Sequence, residues 1–187
     1  MIGNLIKLFA MGEIKITEKG EFRMLGERAV VLYFTILEGM LEFFQKNFGE
    51  RDGGILIYHS SKHGSKNYIR NIIHRLGYRG EKAIDFAGEL ASIGGWGRIT
   101  VAHFDSEKKV AKIIVDSCPF KTEKPSKEPV CHFSRGMFAG AASVIWNEDV
   151  DCIETTCSSM GDPYCVFVIK RKRDFKNKIL VKNQIGG

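Results

Sequence analysis

The stretch Glu154-Thr-Thr-Cys157-Ser-Ser-Met-Gly-Asp-Pro-Tyr-Cys165 places two cysteines on either side of a Gly-Asp-Pro turn. A third, Cys131, stands upstream where a helical pattern begins. Hairpin geometry can bring Cys157 and Cys165 together, and the partial positive charge of a helix N-terminus favours a thiolate at Cys131. Three thiolates suit a borderline-soft, tetrahedral ion such as zinc. Read from the residues alone, the fourth donor is open. His132 is the more usual companion of cysteine in structural zinc sites. Glu154, three residues before Cys157, would face the opposite side of a regular strand, so it joins only if the strand ends early or a bulge re-aims one of the two.

Outward from this stretch, Asp151 to Thr156 and Tyr164 to Lys170 are predicted strands, and Phe133 to Trp146 a helix with Phe133, Met137, Ala141 and Val144 on one stripe. Gly136 and Gly140, four apart, strip one flank of that helix and allow a close neighbour. Trp96 to Phe104 and Lys109 to Ser117 form a second hairpin across a short polar joint. Cys118 to Pro129, with three prolines among Lys and Glu, is a loop. Further upstream, helices are expected over about Glu81 to Ser92, about Lys62 to Leu76 after a break at Asp52-Gly-Gly54, and Glu27 to Phe48. The last of these is apolar over most of its circumference, which requires cover from the core or from a second subunit. Residues 13–24 alternate around Glu18-Lys-Gly20 and form a hairpin, giving residues 1–26 the character of an N-terminal arm. The expected fold is α+β: an antiparallel sheet carrying about four helices, in one domain over residues 1–170, followed by a basic, solvated tail over 171–187.

Length and composition agree with one globular domain: 187 residues, 44% hydrophobic. The longest largely apolar run, Ala29 to Leu37, is far short of the roughly 20 residues that cross a bilayer, and no signal-peptide pattern opens the chain, so a cytoplasmic protein is expected. Five cysteines cannot all pair within one chain, which favours metal or free thiols over disulfides. Cys118 and Cys152 are then spare and are expected as small buried hydrophobes. The net charge of +6 permits an anionic partner. Much of the excess sits in Lys170 to Lys178 without a nucleic-acid motif, so nucleic acid is not the expected partner.

The segment from Cys131 to Phe167, Cys-His-Phe-Ser-Arg-Gly-Met-Phe-Ala-Gly-Ala through Met-Gly-Asp-Pro-Tyr-Cys-Val-Phe, resembles the C-terminal half of a 4-vinyl reductase domain, with the likeness running over about 94–170. That family includes sensor domains of phenol-responsive transcription activators, bacteriochlorophyll-pathway proteins and, more distantly, subunits of Golgi tethering complexes. The resemblance implies a structural zinc ion held by Cys131, Glu154, Cys157 and Cys165, an antiparallel sheet with helices, frequent dimerisation, and a buried pocket for a small hydrophobic molecule. Phenol sensors orient the ring hydroxyl with a His and a Trp. The candidates here are His103 and Trp96, with Phe86, Phe104 and Tyr68 as wall, but their spacing from Cys131 differs from the sensors', so the phenol-binding roles are not carried over. Phenol sensors also join this domain to an ATPase and a DNA-binding domain. In this chain any output is expected to pass through a protein partner or an oligomer. The leading function is ligand binding without catalysis. One alternative is a subunit of a tetrapyrrole vinyl reductase, against which stand the lack of a Gly-x-Gly-x-x-Gly fingerprint and of cysteines left for an iron-sulfur cluster. Another is a protein- or nucleic-acid-interaction subunit.

Overall fold

A computed structural model describes residues 2–122 and 125–186. Met1 of the expected arm, residues 123 and 124 of the expected loop, and Gly187 of the tail lie outside them. The order of elements is α1 (Ile2–Ala10), β1 (Ile14–Ile16), β2 (Phe22–Met24), β3 (Glu27–Arg28), α2 (Phe34–Phe48), α3 (Glu50–Leu76), α4 (Gly80–Ile93), β4 (Arg98–Asp105), β5 (Val110–Asp116), α5 (His132–Trp146), β6 (Asp151–Thr156), β7 (Cys165–Lys170) and α6 (Lys178–Gln184). Strands β4-β5-β7-β6 form one antiparallel sheet, and β1-β2-β3 a small second one. The α+β class is as expected, with six helices among the described residues rather than about four.

On β5, Ala111, Ile113 and Val115 point inward while Lys112 is exposed, the alternation of a sheet with one covered face. They meet Phe138, Ala139, Ala142 and Trp146 of α5 in the main core. Strand β6 behaves differently, because Asp151 to Glu154 are all buried. Its second face is covered by the tail, whose Phe175, Val181 and Ile185 join the same core. The expectation of a solvated tail is therefore corrected: the basic residues are interrupted by apolar ones that dock α6 onto β6.

Helices α3 and α5 lie in intimate contact where Gly136 and Gly140 face the α3 backbone between Tyr58 and Lys62. Beside this contact Lys62, nearly buried, sets its Nζ 2.8 Å from Asp151 Oδ1 and 3.1 Å from Asp149 Oδ1, while Tyr58 donates to Asp151 at 2.6 Å. A second core joins Leu8, Ile14 and Leu25 to Ile69, Ile72, Phe86 and Leu90, fastening the N-terminal unit to α3 and α4.

Four boundaries differ from the sequence reading. Helix α1 precedes the hairpin, since Leu5 and Leu8 supply a short inward stripe that the alternation at 13–24 obscures. The helix expected from Glu27 begins at Phe34: Leu25 and Gly26, both at positive φ, make a tight turn that pairs Glu27 with Met24, and the chain stays non-helical to Tyr33. The helix expected from Lys62 begins at Glu50, with Gly49 as the break. Gly53 and Gly54 are not a linker, because a Cβ on either would collide with the backbone of Phe44 and Gln45 or the ring of His132. Helix α2 has no buried residue, and Val31, Tyr33, Ile36 and Phe43 are 86%, 84%, 55% and 62% exposed. The apolar circumference read from the sequence is thus uncovered on its outer side.

Candidate metal centre

Cys131 is the residue before α5, Glu154 lies on β6, Cys157 follows that strand, and Cys165 opens β7. One donor atom from each lies within 4.8 Å of the others, and all four residues are buried. Cys131 Sγ is 3.8 Å from Cys165 Sγ and 4.0 Å from Cys157 Sγ. A tetrahedral ion with metal–sulfur bonds of about 2.3 Å separates its sulfurs by about 3.8 Å, so this spacing fits the group.

The parity problem at Glu154 is solved by the backbone. Glu154 pairs with Phe167 and Thr156 with Val166, leaving Thr155 as the extra residue of a bulge. The inserted residue turns Glu154 and Cys157 to the same side. Beyond the strand, Cys157 N donates to Asp162 Oδ2 at 2.8 Å, and Gly161 at φ 98 completes a turn that returns the chain to Cys165. Ser158 N donates to Cys165 Sγ at 3.3 Å, which favours a thiolate there. Glu154 Oε2 accepts from Cys131 N at 3.1 Å, whereas Oε1 is buried without a partner. An orphaned carboxylate oxygen among three thiols is the state of a ligand set arranged for a cation.

Electrostatics agree. Burial, with the Cys157 sulfur close by, pushes the Glu154 carboxyl up to about 8. The Cys131 thiol is pushed up by the neighbouring Cys118, Cys157 and Cys165 sulfurs, by burial and by Glu154. Four acidic groups in one dry place cannot all ionise unless a cation joins them. Arg135, one turn into α5, is fully buried and makes no ion pair with a carboxylate among the described residues. Its guanidinium donates to the Gln184 backbone carbonyl at 2.9 Å and to Gln184 Oε1 at 2.7 Å, and contacts His132 Nδ1. Three thiolates, a carboxylate and a divalent ion sum to a charge of minus two, for which Arg135 is the nearby counter-charge.

Gln184 also clamps the Glu154 peptide, accepting from its N–H at 2.8 Å and donating to its carbonyl at 2.9 Å. The tail thus supports a residue of the cluster, a role invisible in the sequence because a lone Gln carries no signal. His132, the alternative donor, turns its ring towards Gly54 and Arg135 and is outside the four-residue group. Cys152 is an ordinary buried thiol. Cys118 is buried as expected, but not remote: its sulfur lies 3.4 Å from Cys131 Sγ.

The raised carboxyl and thiol predict pH dependence. Between the ordinary carboxyl value of 4.5 and about 8, the folded metal-free chain holds a proton on Glu154 that the unfolded chain has lost. Metal-free stability is therefore greatest below that window and declines through it, while metal must displace protons and binds more tightly as pH rises. Chelator-competition titrations at pH 6 and 8 will show tighter binding at pH 8. Equal affinity at both would contradict this assignment.

Beside the centre, a cavity of about 720 Å³ lies between α2, α3, α4, α5 and β4. Trp96 and Tyr68 line it, and Trp96 stacks on Phe133 with ring centres 5.2 Å apart. Phe86, His103 and Phe104 lie outside it. Phe86 packs on Tyr78 in the second core, Phe104 packs on Trp146, and His103 is exposed on β4. The sequence reading placed the pocket against the sheet, but its walls are mainly helical, with Leu37, Leu41 and Phe44 of α2 among them. No helix among the described residues is long and apolar enough to cross a membrane.

The family model for the vinyl-4-reductase domain matches residues 111–171, from β5 to just past β7, and so includes the whole four-residue cluster. The uncharacterised protein MJ0855 of Methanocaldococcus jannaschii is 29% identical over 137 residues, covering 68% of this chain and 59% of that protein. MJ0745 of the same organism is 33% identical over 66 residues, covering 35% and 36%. The chain thus spans less than two thirds of either relative. Among solved structures, the phenol-responsive sensory domain of the transcription activator PoxR with phenol superposes with a TM-score of 0.82 at 16% identity, over 99% of this chain and 96% of that one. A vinyl-4-reductase family protein from M. jannaschii gives 0.51 at 19%, over 78% and 85%. Subunit 3 of a trafficking protein particle complex from Naegleria fowleri, covalently bound to palmitic acid, gives 0.52 at 13%, over 74% and 89%. At these identities the structural likeness is one of fold. The resemblance to the 4-vinyl reductase family read from Cys131 to Phe167 is borne out by the match.

Proposed function

We propose that this chain is a zinc-stabilised binding domain for a small hydrophobic molecule, acting as a sensor or accessory subunit without catalysis of its own. The observation that carries the reading is the cavity of about 720 Å³, within the usual size range of small-molecule sites and walled mainly by apolar side chains. The PoxR domain, which is phenol-responsive, shares the fold and supports the same general use. In this reading Cys131, Glu154, Cys157 and Cys165 hold zinc with no coordination position left for water, so the ion is structural. It ties the start of α5 to the turn between β6 and β7, next to the cavity wall formed by Phe133, Met137 and Phe138.

The exposed apolar segment Val30 to Phe48 favours a homodimer, since one face of α2 borders the cavity while Ile36 and Phe43 have no cover within the chain. A dimer, or a further protein partner seated there, would transmit occupancy of the cavity. Reduced thiols at all five cysteines agree with a cytoplasmic setting. Native mass spectrometry of the untagged protein tests the proposal. The expected spectrum shows twice the chain mass, one zinc per chain, and a small hydrophobic adduct or uptake of an added one. A metal-free chain that takes up no apolar compound would overturn it.

A further inference from the structure

Among the residues lining the cavity none is Lys, Arg, His, Asp or Glu. Three inner hydroxyls are already engaged: Ser61 donates to the Tyr58 carbonyl at 3.1 Å, Ser65 to the Lys62 carbonyl at 3.3 Å, and Tyr68 to the Ala87 carbonyl at 3.3 Å. A hydroxyl has one hydrogen and two lone pairs, so each retains the capacity to accept. Burial holds the Tyr68 phenol well above its ordinary value and keeps it neutral. Size is the second constraint. A cavity of about 150 Å³ suffices for a benzene ring, and this one, at about 720 Å³, would leave a single ring loosely held with most of its wall uncontacted.

Resting on the reading of this cavity as the binding site, we infer that it selects an uncharged, predominantly hydrocarbon molecule of several rings or equivalent branched bulk, whose tolerated polar group donates a hydrogen bond. An anion entering it would lose its hydration with no cation to replace it. A small phenol would find acceptors but little contact. Selectivity in this site comes from bulk and neutrality.

Gly64 supplies the test. It lies on α3 at the cavity wall, and a Cβ built there meets nothing within 4 Å. Leucine at this position extends into the cavity and is also a better helix former than glycine. The probes are N-phenyl-1-naphthylamine, which is neutral with one N–H, its 8-sulfonate analogue, which adds only a negative charge, and phenol as competitor. The neutral probe is expected to bind at least about tenfold more tightly than the sulfonate, a gap of only 1.4 kcal/mol against the larger cost of burying an unpaired charge. Phenol at equal concentration will not displace it. Gly64→Leu will weaken the neutral probe about tenfold or more with its melting temperature equal to or above wild type, whereas Gly64→Ala, adding one methyl, will keep most of the binding. Equal or tighter binding of the sulfonate, or displacement by phenol, overturns this inference and leaves the cavity reading standing. If neutral probe, sulfonate and phenol all fail to bind wild-type protein, the cavity reading itself falls.

Discussion

Cys165→Ser will lose stoichiometric zinc and melt about 10 to 15 °C below the wild-type protein. The magnitude follows from removing one of four donors to a structural ion. Zinc sites of this type carry apparent binding energies of about 10–16 kcal/mol in isolated peptides, part of which is folding energy. In a chain that has other cores the loss is smaller, about 3–5 kcal/mol, and each kcal/mol moves the midpoint of a domain this size by about 2–4 °C. The lesion will be local. Without the ion, Glu154 and three thiols remain crowded in a buried space, with Arg135 beside them, and Glu154 is the residue whose peptide Gln184 grips. Amide exchange should therefore accelerate first at the start of α5, in the β6–β7 turn and in α6, and least around Ile69, Ile72 and Leu90 in the second core. Chelation of wild-type protein should reproduce the pattern. A serine variant that keeps one zinc per chain and melts with wild type would remove the ion from this account.

How much of this was legible beforehand depends on whether the signal is local. Cys131, Cys157 and Cys165 declare themselves by residue type and by their places at a helix start and a turn. The strands β4 to β7 and helix α5 declare themselves by period, because their burial alternates or runs in stripes. Glu154 is different: its spacing from Cys157 argued against it, and only an extra residue at Thr155 reverses the parity, a one-residue event without a sequence signature. Arg135 and Gln184 are likewise silent, since charged and amide side chains are usually exposed and their burial depends on partners 49 residues apart. The tail misled because nine residues of basic composition outweighed Phe175, Val181 and Ile185, which matter only once β6 offers them a face. The cavity could not be located among aromatics, since Trp96 and Tyr68 differ from Phe86 and Phe104 only in what packs against them.

Helix packing yields the other large effect, and it turns on a pair of glycines that the sequence did display. Gly136→Ala adds one methyl to α5, and in an isolated helix the change would stabilise by about 1 kcal/mol. Here the new Cβ would overlap the Tyr58 carbonyl and Ser61 Oγ and stand 2.8 Å from Lys62 N. Ser61 could rotate, but the other two atoms are α3 backbone, so relief requires the two helices to separate. Separation strains the charges beside the contact, because Lys62 and Tyr58 reach Asp151 from the same turn of α3, at 2.8 and 2.6 Å. Overpacking of a rigid contact costs about 1–3 kcal/mol, and loosening a buried ion pair adds to it. The net expectation is a loss of about 3 kcal/mol and a melting temperature lower by roughly 10 °C. Gly140→Ala should behave alike, its Cβ being driven against Lys62 O and Ser65 Oγ. Gly64→Ala, on α3 but facing open space, should gain stability instead. Calorimetry of the three variants decides the matter: if Gly136→Ala melts at or above wild type, α3 and α5 are not held at glycine distance, and the cavity between them and α2 would have a different shape.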